Sequence, residues 1–311
     1  MSRRLRYVPP EGGLFEITTR TVQGRYLLKP SKEFNSIVLG VLGRAQRLYP
    51  VEIHAFVALS SHYHLLASVD TAHQLAAFMG YFNGNLGKEV VRHVEGWSDK
   101  VWSRRYQAIW VSPEESKQID RLHYLLSQGA KDGLVASPRD WPGASSLAAL
   151  LDGEALKGLW FNRSREYAAR RAGKAFHTHD FATRESVTLT PVPCWVDLAP
   201  TEYAARALEM VEDIERETQQ RHAQAGTRPL GLRRIRRQRP LDRPKKLKKS
   251  PAPLCHCATK RVRRMFWEAY SLFYAAYREA SEKLKVGDLS AAFPEGSFLP
   301  PLPFRPDFAP G

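Results

Sequence analysis

The chain has 311 residues, with 47 lysines and arginines against 32 aspartates and glutamates, a formal net charge of +15 and a pI near 9.8. Its 43% apolar content can build a sizeable core, which excludes a chain that is disordered throughout. No apolar run reaches the ~18 residues of a membrane helix, and three cysteines exclude a disulfide scaffold. We therefore expect a soluble, cytoplasmic protein without a signal peptide, whose charge favours a polyanion such as nucleic acid over a membrane.

The first 150 residues carry the patterns of an α+β domain. β-Branched residues alternate over 14–22, a polar turn joins two predicted strands over 51–69, and 101–111 is also strand-like. Helical spacing of apolar residues predicts helices over 31–48 and 72–94. Together with one further helix, this order predicts an antiparallel sheet covered by helices on one face.

That further helix has a clear start signal. Ser112 is the predicted N-cap, Pro113 takes the first helical position, and a glutamate closes a capping box. The helix is expected to end at Gly129 or Gly133.

Four segments are predicted along the chain. Residues 1–150 form the α+β domain, 151–222 are mostly helical, and 259–311 hold a docking helix with an extended tail. Between them, 223–258 is predicted to be a mobile linker, because 228–249 contain eleven basic residues, one acid and several prolines. Such a linker would grip phosphates without reading sequence.

A histidine pair is the first candidate for chemistry. His62 and His64 are two residues apart in a predicted strand, so both imidazoles face the same side, as a pair of metal ligands would. Alone, a His-x-His pattern fits a purely structural pair equally well.

The second candidate is Tyr124 with Gln128, which share one helix face at a spacing of four residues. A tyrosine hydroxyl can attack phosphorus once its proton is lost. An amide oxygen can complete the coordination of a metal ion beside two histidines. A tyrosine at helical spacing among leucines is more often a core residue.

Weaker candidates lie elsewhere. His177 and His179 form a second His-x-His, but in a polar stretch without the apolar flanks of a strand. Cys255, His256 and Cys257 could suggest zinc, yet the paired cysteine spacing of zinc sites is missing, which favours reduced thiols.

Taken together, the motifs resemble single-tyrosine HUH transposases, most closely the REP-associated tyrosine transposases. Residues 59–66 are similar to the family's Met-Pro-Asn-His-hydrophobic-His stretch, and 101–106 to its Trp-x-x-Arg-Tyr. Residues 124–135 are similar to Tyr-Ile-x-x-Asn-Pro-x-x-Ala-Gly-Leu-Val, and 141–146 to the following Trp-Ser-Ser. The sequence departs from the family by having Leu59, Ser61, Gln128 and Gly129 in place of Met, Asn, Asn and Pro.

The resemblance implies a ferredoxin-like core that cleaves and rejoins single-stranded DNA at hairpin-forming sites. His62, His64 and Gln128 would bind Mg²⁺ or Mn²⁺, and Tyr124 would form a 5′-phosphotyrosine. It also implies a protein that works as a monomer or as a homodimer.

Two groups of side chains are predicted to contact the DNA. One set stacks on and clamps unpaired bases and the other contacts phosphates. They are Trp102, Arg104, Arg105 and Tyr106, and then Arg233, Arg234, Arg236 and Arg237.

Two alternatives to a transposase-like enzyme stay open. One is a binding protein for hairpin DNA or RNA in which catalysis has lapsed. The other is a metal-dependent phosphodiesterase in which Tyr124 is only structural.

Overall fold

The structure is a computed structural model that describes residues 4–244 and 252–300. Residues 245–251 of the predicted linker and 301–311 of the predicted tail lie outside the described residues. None of the described helices is both long and apolar enough to cross a membrane.

A five-stranded sheet forms the centre of the fold. In spatial order it runs β2, β3, β1, β4 and β7, and every pairing is antiparallel except that of β4 with β7. The strands are β1 (Gly13–Arg20), β2 (Glu52–Leu59), β3 (His62–Val69), β4 (Gln107–Val111) and β7 (Cys255–His256). A separate antiparallel hairpin joins β5 (Leu156–Phe161) and β6 (Ala182–Val187).

Nine α-helices surround these strands in the described part of the chain. They are α1 (Lys32–Leu48), α2 (Ala72–His93), α3 (Glu115–Leu126), α4 (Gln128–Lys131), α5 (Leu147–Asp152), α6 (Arg163–Arg171), α7 (Pro200–Ala225), α8 (Leu232–Arg237) and α9 (Lys260–Lys285). Polar caps explain two of the starts, since the hydroxyls of Ser31 and Thr71 accept hydrogen bonds from backbone N–H groups in the first turns of α1 and α2. The α+β class and a mostly antiparallel sheet packed by helices are confirmed.

Helices cover both faces of the sheet, whereas the sequence predicted one. Phe15 and Ile17 of β1 share a core with α1 and α2. Leu14, on the opposite face of the same strand, packs in a second core with α3 and α7. Successive side chains of β1 point to opposite faces of the sheet, so apolar side chains lie on both faces. Each apolar face must pack against helices to be shielded from water.

The start of α3 differs from the predicted capping box. The helix begins at Glu115, and Ser112 instead donates to the Glu114 carboxylate, over 2.7 Å. Glu114 also accepts backbone hydrogen bonds from Ala258 and Thr259. The carboxylate is therefore used to fix a distant segment of the chain, and Ser112 is not the N-cap.

Packing continues past residue 150. Helix α7 shares the second core with α3, and α1 lies across the β5–β6 hairpin at Gly40, where an added Cβ would overlap the backbone of Leu159. The region 151–222 thus contains a hairpin besides its helices.

In the region predicted as a mobile linker, 232–237 form α8 with Ile235 fully buried, and 255–256 form strand β7. The burial of the apolar Ile235 explains why α8 is packed, and the pairing with β4 explains why 255–256 form a strand.

Helix α9 packs beside the sheet edge, as predicted for a docking helix. Phe266 stacks on Trp110 of β4 with ring centroids 4.6 Å apart. The ring centroids of Phe273 and Tyr7 are 4.5 Å apart. This third cluster includes both Cys255 and Cys257.

Candidate active site and nucleic-acid interface

His62 and His64 lie side by side on β3, in the interior of the sheet. Their ring centroids are 5.3 Å apart, with the rings inclined at 72°. Both point to the face covered by α3, because Tyr63 between them is buried in the core on the other face. The same-face geometry expected from the spacing is present.

Glu16 supports His64 from the neighbouring strand. One carboxylate oxygen lies 3.2 Å from Nδ1 of His64, and Glu16 is only 4% exposed. This fixes Nδ1 of the imidazole and leaves Nε2 as the nitrogen that can bind a ligand, the arrangement that orients metal-binding histidines in proteins.

The second oxygen of Glu16 meets two further groups. Nε2 of His256 lies 3.0 Å away and a guanidinium nitrogen of Arg121 lies 3.4 Å away. Burial alone would raise the pKa of Glu16, but the imidazoles of His256 and His64 beside the carboxylate outweigh it and hold that pKa far below its usual value. Glu16 is therefore an ionised carboxylate at neutral pH.

His62 is a neutral imidazole at neutral pH. Its burial, followed by the charges of His64 and Arg20, holds its pKa well below the usual 6.5. Its Nδ1 lies 3.1 Å from the hydroxyl of Ser61, so its Nε2 is again the nitrogen left for a ligand. Neutral imidazole is the form that binds metal ions.

Tyr124 lies on α3 directly above His64. The two ring centroids are 5.6 Å apart, and the cations of Lys131 and Arg121 lie 3.9 and 4.7 Å from the centroid of the tyrosine ring. Burial, followed by the charge of Glu16, raises the pKa of Tyr124 above 10 despite a lowering by Gln128. The hydroxyl is protonated at neutral pH and must lose its proton before or during any attack on phosphorus.

Gln128 is held close to Tyr124 by its own amide. Its Nε2 donates to the backbone carbonyl of Tyr124 over 2.7 Å, and the residue is 3% exposed. The helix is interrupted between the two residues, because α3 ends at Leu126 and α4 begins at Gln128. With Nε2 engaged, Oε1 is the atom of Gln128 that remains to bind a cation.

The donor set fits a divalent cation in part. His62 and His64 each keep Nε2, and Gln128 keeps an amide oxygen, which together make a nitrogen and oxygen donor set. Among the described residues there is no group of three or more His, Cys, Asp and Glu side chains suited to a metal ion. Any metal site here therefore depends on Gln128 or on water for its further ligands.

A cavity of about 390 Å³ opens beside Tyr124, between α3, α4 and α7. Basic side chains from all three helices reach it, with two acidic side chains and three hydroxyls. Its lining comprises Asp120, Arg121, His123, Tyr124, Ser127, Lys131, Ile214, Glu217, Thr218 and Arg221. The volume lies within the range of ligand pockets, and α7, beyond residue 150, forms one of its walls.

The aromatic residues predicted to stack on bases are packed against the protein. The indole N–H of Trp102 donates to the carbonyl of Asn83 over 2.9 Å, and the Tyr106 ring lies 4.4 Å from the guanidinium of Arg6. Burial raises the pKa of Tyr106 to about 12. Arg104 and Arg105 between them are exposed, so this segment offers two cations to a partner.

The four predicted phosphate-binding arginines, Arg233, Arg234, Arg236 and Arg237, are all exposed on α8. The helix is anchored, since Ile235 is buried and the adjacent Gln238 accepts a hydrogen bond from Ser60 in the β2–β3 turn. That turn immediately precedes His62. The arginines thus lie near the histidine pair on a fixed helix.

Neither weaker candidate belongs to a group of three or more metal-binding side chains among the described residues. His177 and His179 belong to an exposed 3₁₀ turn, and the ring of His179 lies 5.6 Å from that of Phe161. Cys255 and Cys257 are buried free thiols, while His256 between them turns to Glu16.

Glu16 and His256 are the residues of the candidate site that sequence reasoning missed. The available signal for Glu16 was an acid flanked by the apolar Leu14, Phe15 and Ile17 in a predicted strand. His256 carried no signal for this role, because its partner is 240 residues away.

No protein-family model and no curated protein matches the sequence. Among the solved structures that resemble the chain are two transposase structures. One is a REP-associated tyrosine transposase bound to a REP hairpin, with 20% identity and a TM-score of 0.38 over 49% of this chain and 86% of that one. The other is a candidate transposase from Deinococcus radiodurans R1, with 17% identity and a TM-score of 0.29 over 39% and 94%. At these levels neither similarity assigns an activity to the chain.

Proposed function

We propose that the protein is a metal-dependent endonuclease and strand transferase for single-stranded, hairpin-forming DNA, acting through a 5′-phosphotyrosine intermediate. The observation that carries this proposal is the juxtaposition of three groups. The Tyr124 ring lies 5.6 Å from that of His64, which lies 5.3 Å from that of His62. A tyrosine nucleophile beside two metal-competent imidazoles is suited to phosphoryl transfer.

In the proposed reaction, His62, His64 and Gln128 would hold Mg²⁺ or Mn²⁺, and the ion would supply Lewis-acid polarisation of the scissile phosphate. The Tyr124 hydroxyl oxygen bonds to phosphorus while the bond from phosphorus to the 3′-oxygen breaks. The phenolic proton is lost and the 3′-oxygen gains one, so the products are a 5′-phosphotyrosine and a free 3′-hydroxyl. Attack by another 3′-hydroxyl reverses these steps and rejoins DNA strands.

The cations near Tyr124 support this chemistry. Lys131 and Arg121 lie over its ring and line the adjacent cavity with Arg221 of α7. Positive charge there attracts the DNA backbone and stabilises a phenolate that forms as the proton leaves. The exposed arginines of α8 and of residues 104–105 extend the same positive surface.

A second function is favoured by two observations. The amide of Gln128 is engaged by the Tyr124 carbonyl, and the pKa of Tyr124 is raised, both of which suit a hairpin-binding protein without catalysis. A phosphodiesterase in which Tyr124 is structural would use the same histidines.

The test is incubation of the full chain with a panel of hairpin oligonucleotides and Mn²⁺, followed by denaturing electrophoresis. The proposal predicts cleavage together with a protein–DNA band that survives denaturation. Binding without cleavage would favour the lapsed enzyme, and cleavage without the adduct would favour the phosphodiesterase.

A further inference from the structure

The C-terminal segment reaches the candidate site as a strand of the central sheet. Cys255 and His256 pair in parallel with Trp110 and Val111 at the end of β4, and the backbone N–H of Ser112 donates to the carbonyl of His256 over 2.9 Å. The side chain of His256 thereby enters the face that carries Glu16.

The same segment is fixed on its other side. The Glu114 carboxylate, just before α3, accepts backbone hydrogen bonds from Ala258 over 2.7 Å and from Thr259 over 3.0 Å. Phe266 of α9 stacks on Trp110. His256 is therefore held between two anchored points and is not a residue of a free tail.

Glu16 joins this segment to both parts of the candidate site. Its Oε1 faces His64, and its Oε2 faces His256 at 3.0 Å and Arg121 at 3.4 Å. Arg121 precedes Tyr124 by one helical turn and lies over its ring. One buried carboxylate thus connects the strand of the histidine pair, the helix of the tyrosine and the C-terminal strand.

We propose that His256 is a positioning residue, which fixes the Glu16 carboxylate so that Glu16 in turn fixes the ring of His64. Without His256, Oε2 would keep only Arg121 at the longer distance, and the carboxylate could rotate away from Nδ1 of His64. Removing the partner of a metal-binding histidine commonly costs ~10–100-fold in metal affinity. The inference rests on the proposed function, which makes His64 a metal ligand.

The test uses the full chain carrying His256→Ala, His256→Gln, Glu16→Gln or the double change Glu16→Gln with His256→Ala. Exposed His73 supplies the control variant His73→Ala. Mn²⁺ affinity is measured by calorimetry, hairpin affinity in EDTA by fluorescence anisotropy, and folding by circular dichroism.

His256→Ala should weaken Mn²⁺ binding about 10-fold or more, while hairpin affinity in EDTA and the His73→Ala control stay at the wild-type level. The glutamine variant, which can still donate to Glu16, should retain more affinity than the alanine variant. The double variant should be no worse than Glu16→Gln alone, because both changes act through one contact.

Three results would each overturn the inference. They are wild-type Mn²⁺ affinity in folded His256→Ala, additive losses of affinity in the double variant, and equal losses of affinity in the glutamine and alanine variants. If His256→Ala does not fold, Glu16→Gln decides: it should weaken Mn²⁺ binding about 10-fold or more, and wild-type Mn²⁺ affinity there would overturn the inference. These results are separable from the proposed function, which fails instead if the wild-type chain neither cleaves hairpins nor binds Mn²⁺.

Discussion

At the scale of single residues, the two histidines of β3 have unequal surroundings. His64 has a buried carboxylate on Nδ1, whereas His62 has a serine hydroxyl and a lowered pKa. Both keep Nε2, and Tyr63 between them is the residue of this stretch that packs in the core on the opposite face of the strand. Their removal should therefore affect the site more than the fold.

We expect His62→Ala and His64→Ala each to abolish cleavage with a modest decrease in the free energy of unfolding. Loss of a direct ligand should exceed the ~10–100-fold effect on metal affinity seen when only a ligand's partner is removed. Cleavage measured against Mn²⁺ concentration, with His73→Ala as control, checks this. Normal cleavage in both variants at low Mn²⁺ would rule out the metal-site assignment.

The sequence could predict His62 and His64 because strand periodicity alone puts residues i and i+2 on one side. It could predict the proximity of Tyr124 and Gln128 from helical spacing, although a break in the helix intervenes. The position of Glu16 beside His64 depends on the register of β1 against β3, in which Thr18 pairs with His64. Side-chain spacing within one segment does not determine that register.

At the scale of elements, helix α8 changes the interpretation of the basic run. Repulsion among its cations predicted a mobile segment, but one buried isoleucine and the hydrogen bond of Gln238 anchor the helix beside the β2–β3 turn. The four arginines on its exposed side are presented from a fixed position. Composition over a long window could not reveal the effect of a single apolar residue.

Neutralising Arg233, Arg234, Arg236 and Arg237 to glutamine should weaken binding to all DNAs by a similar factor. The slope of log affinity against log salt should become shallower by up to ~0.7–0.9 for each phosphate that the protein no longer neutralises. Fluorescence anisotropy over a salt series measures both quantities, with cleavage mapped on a cognate hairpin. A shifted cleavage position, or loss of preference for that hairpin while other DNAs still bind, would show that α8 reads sequence.

A second element-scale prediction concerns the contact between α2 and α6. Arg163 bridges Glu89 of α2 and Glu166 of its own helix, and both carboxylates are almost fully buried. Arg163→Met should lower the free energy of unfolding by about 3 kcal/mol, because Glu89 loses its buried ion pair and Glu166 keeps only Arg170 and Thr178. The matched change Arg216→Met, which breaks an exposed pair with Asp213, should cost at most about 0.5 kcal/mol.

The difference in the free energy of unfolding between wild type and Arg163→Met should depend on pH because of Glu166. Burial would raise its pKa, but the hydrogen bond from Arg163 lowers it below the usual 4.5 overall. The stabilisation is thus present above pH 4.5 and is lost as the pH falls below that value. Urea denaturation at several pH values should show the gap between wild type and Arg163→Met narrowing on acidification, and a constant gap would contradict the account.

At the scale of the whole molecule, the chain after residue 150 takes part in the site. Helix α7 walls the cavity beside Tyr124, α8 lies next to the β2–β3 turn, and β7 brings His256 to Glu16. The sequence predicted the α+β class and most elements of the first 150 residues. It did not predict these long-range contacts, because the spacing of apolar and polar residues within one segment does not show which distant segment it packs against.

The central claim is that Tyr124 is the nucleophile, and its most direct test is mass spectrometry of the protein after reaction with a cleavable hairpin and Mn²⁺. Proteolysis of the wild-type reaction should yield a peptide in which Tyr124 carries the 5′-phosphate of the DNA. Tyr124→Phe should lose both this adduct and cleavage while still binding the hairpin, and exposed Tyr167→Phe should behave as wild type. An adduct on another residue, or undiminished cleavage by Tyr124→Phe, would contradict the account.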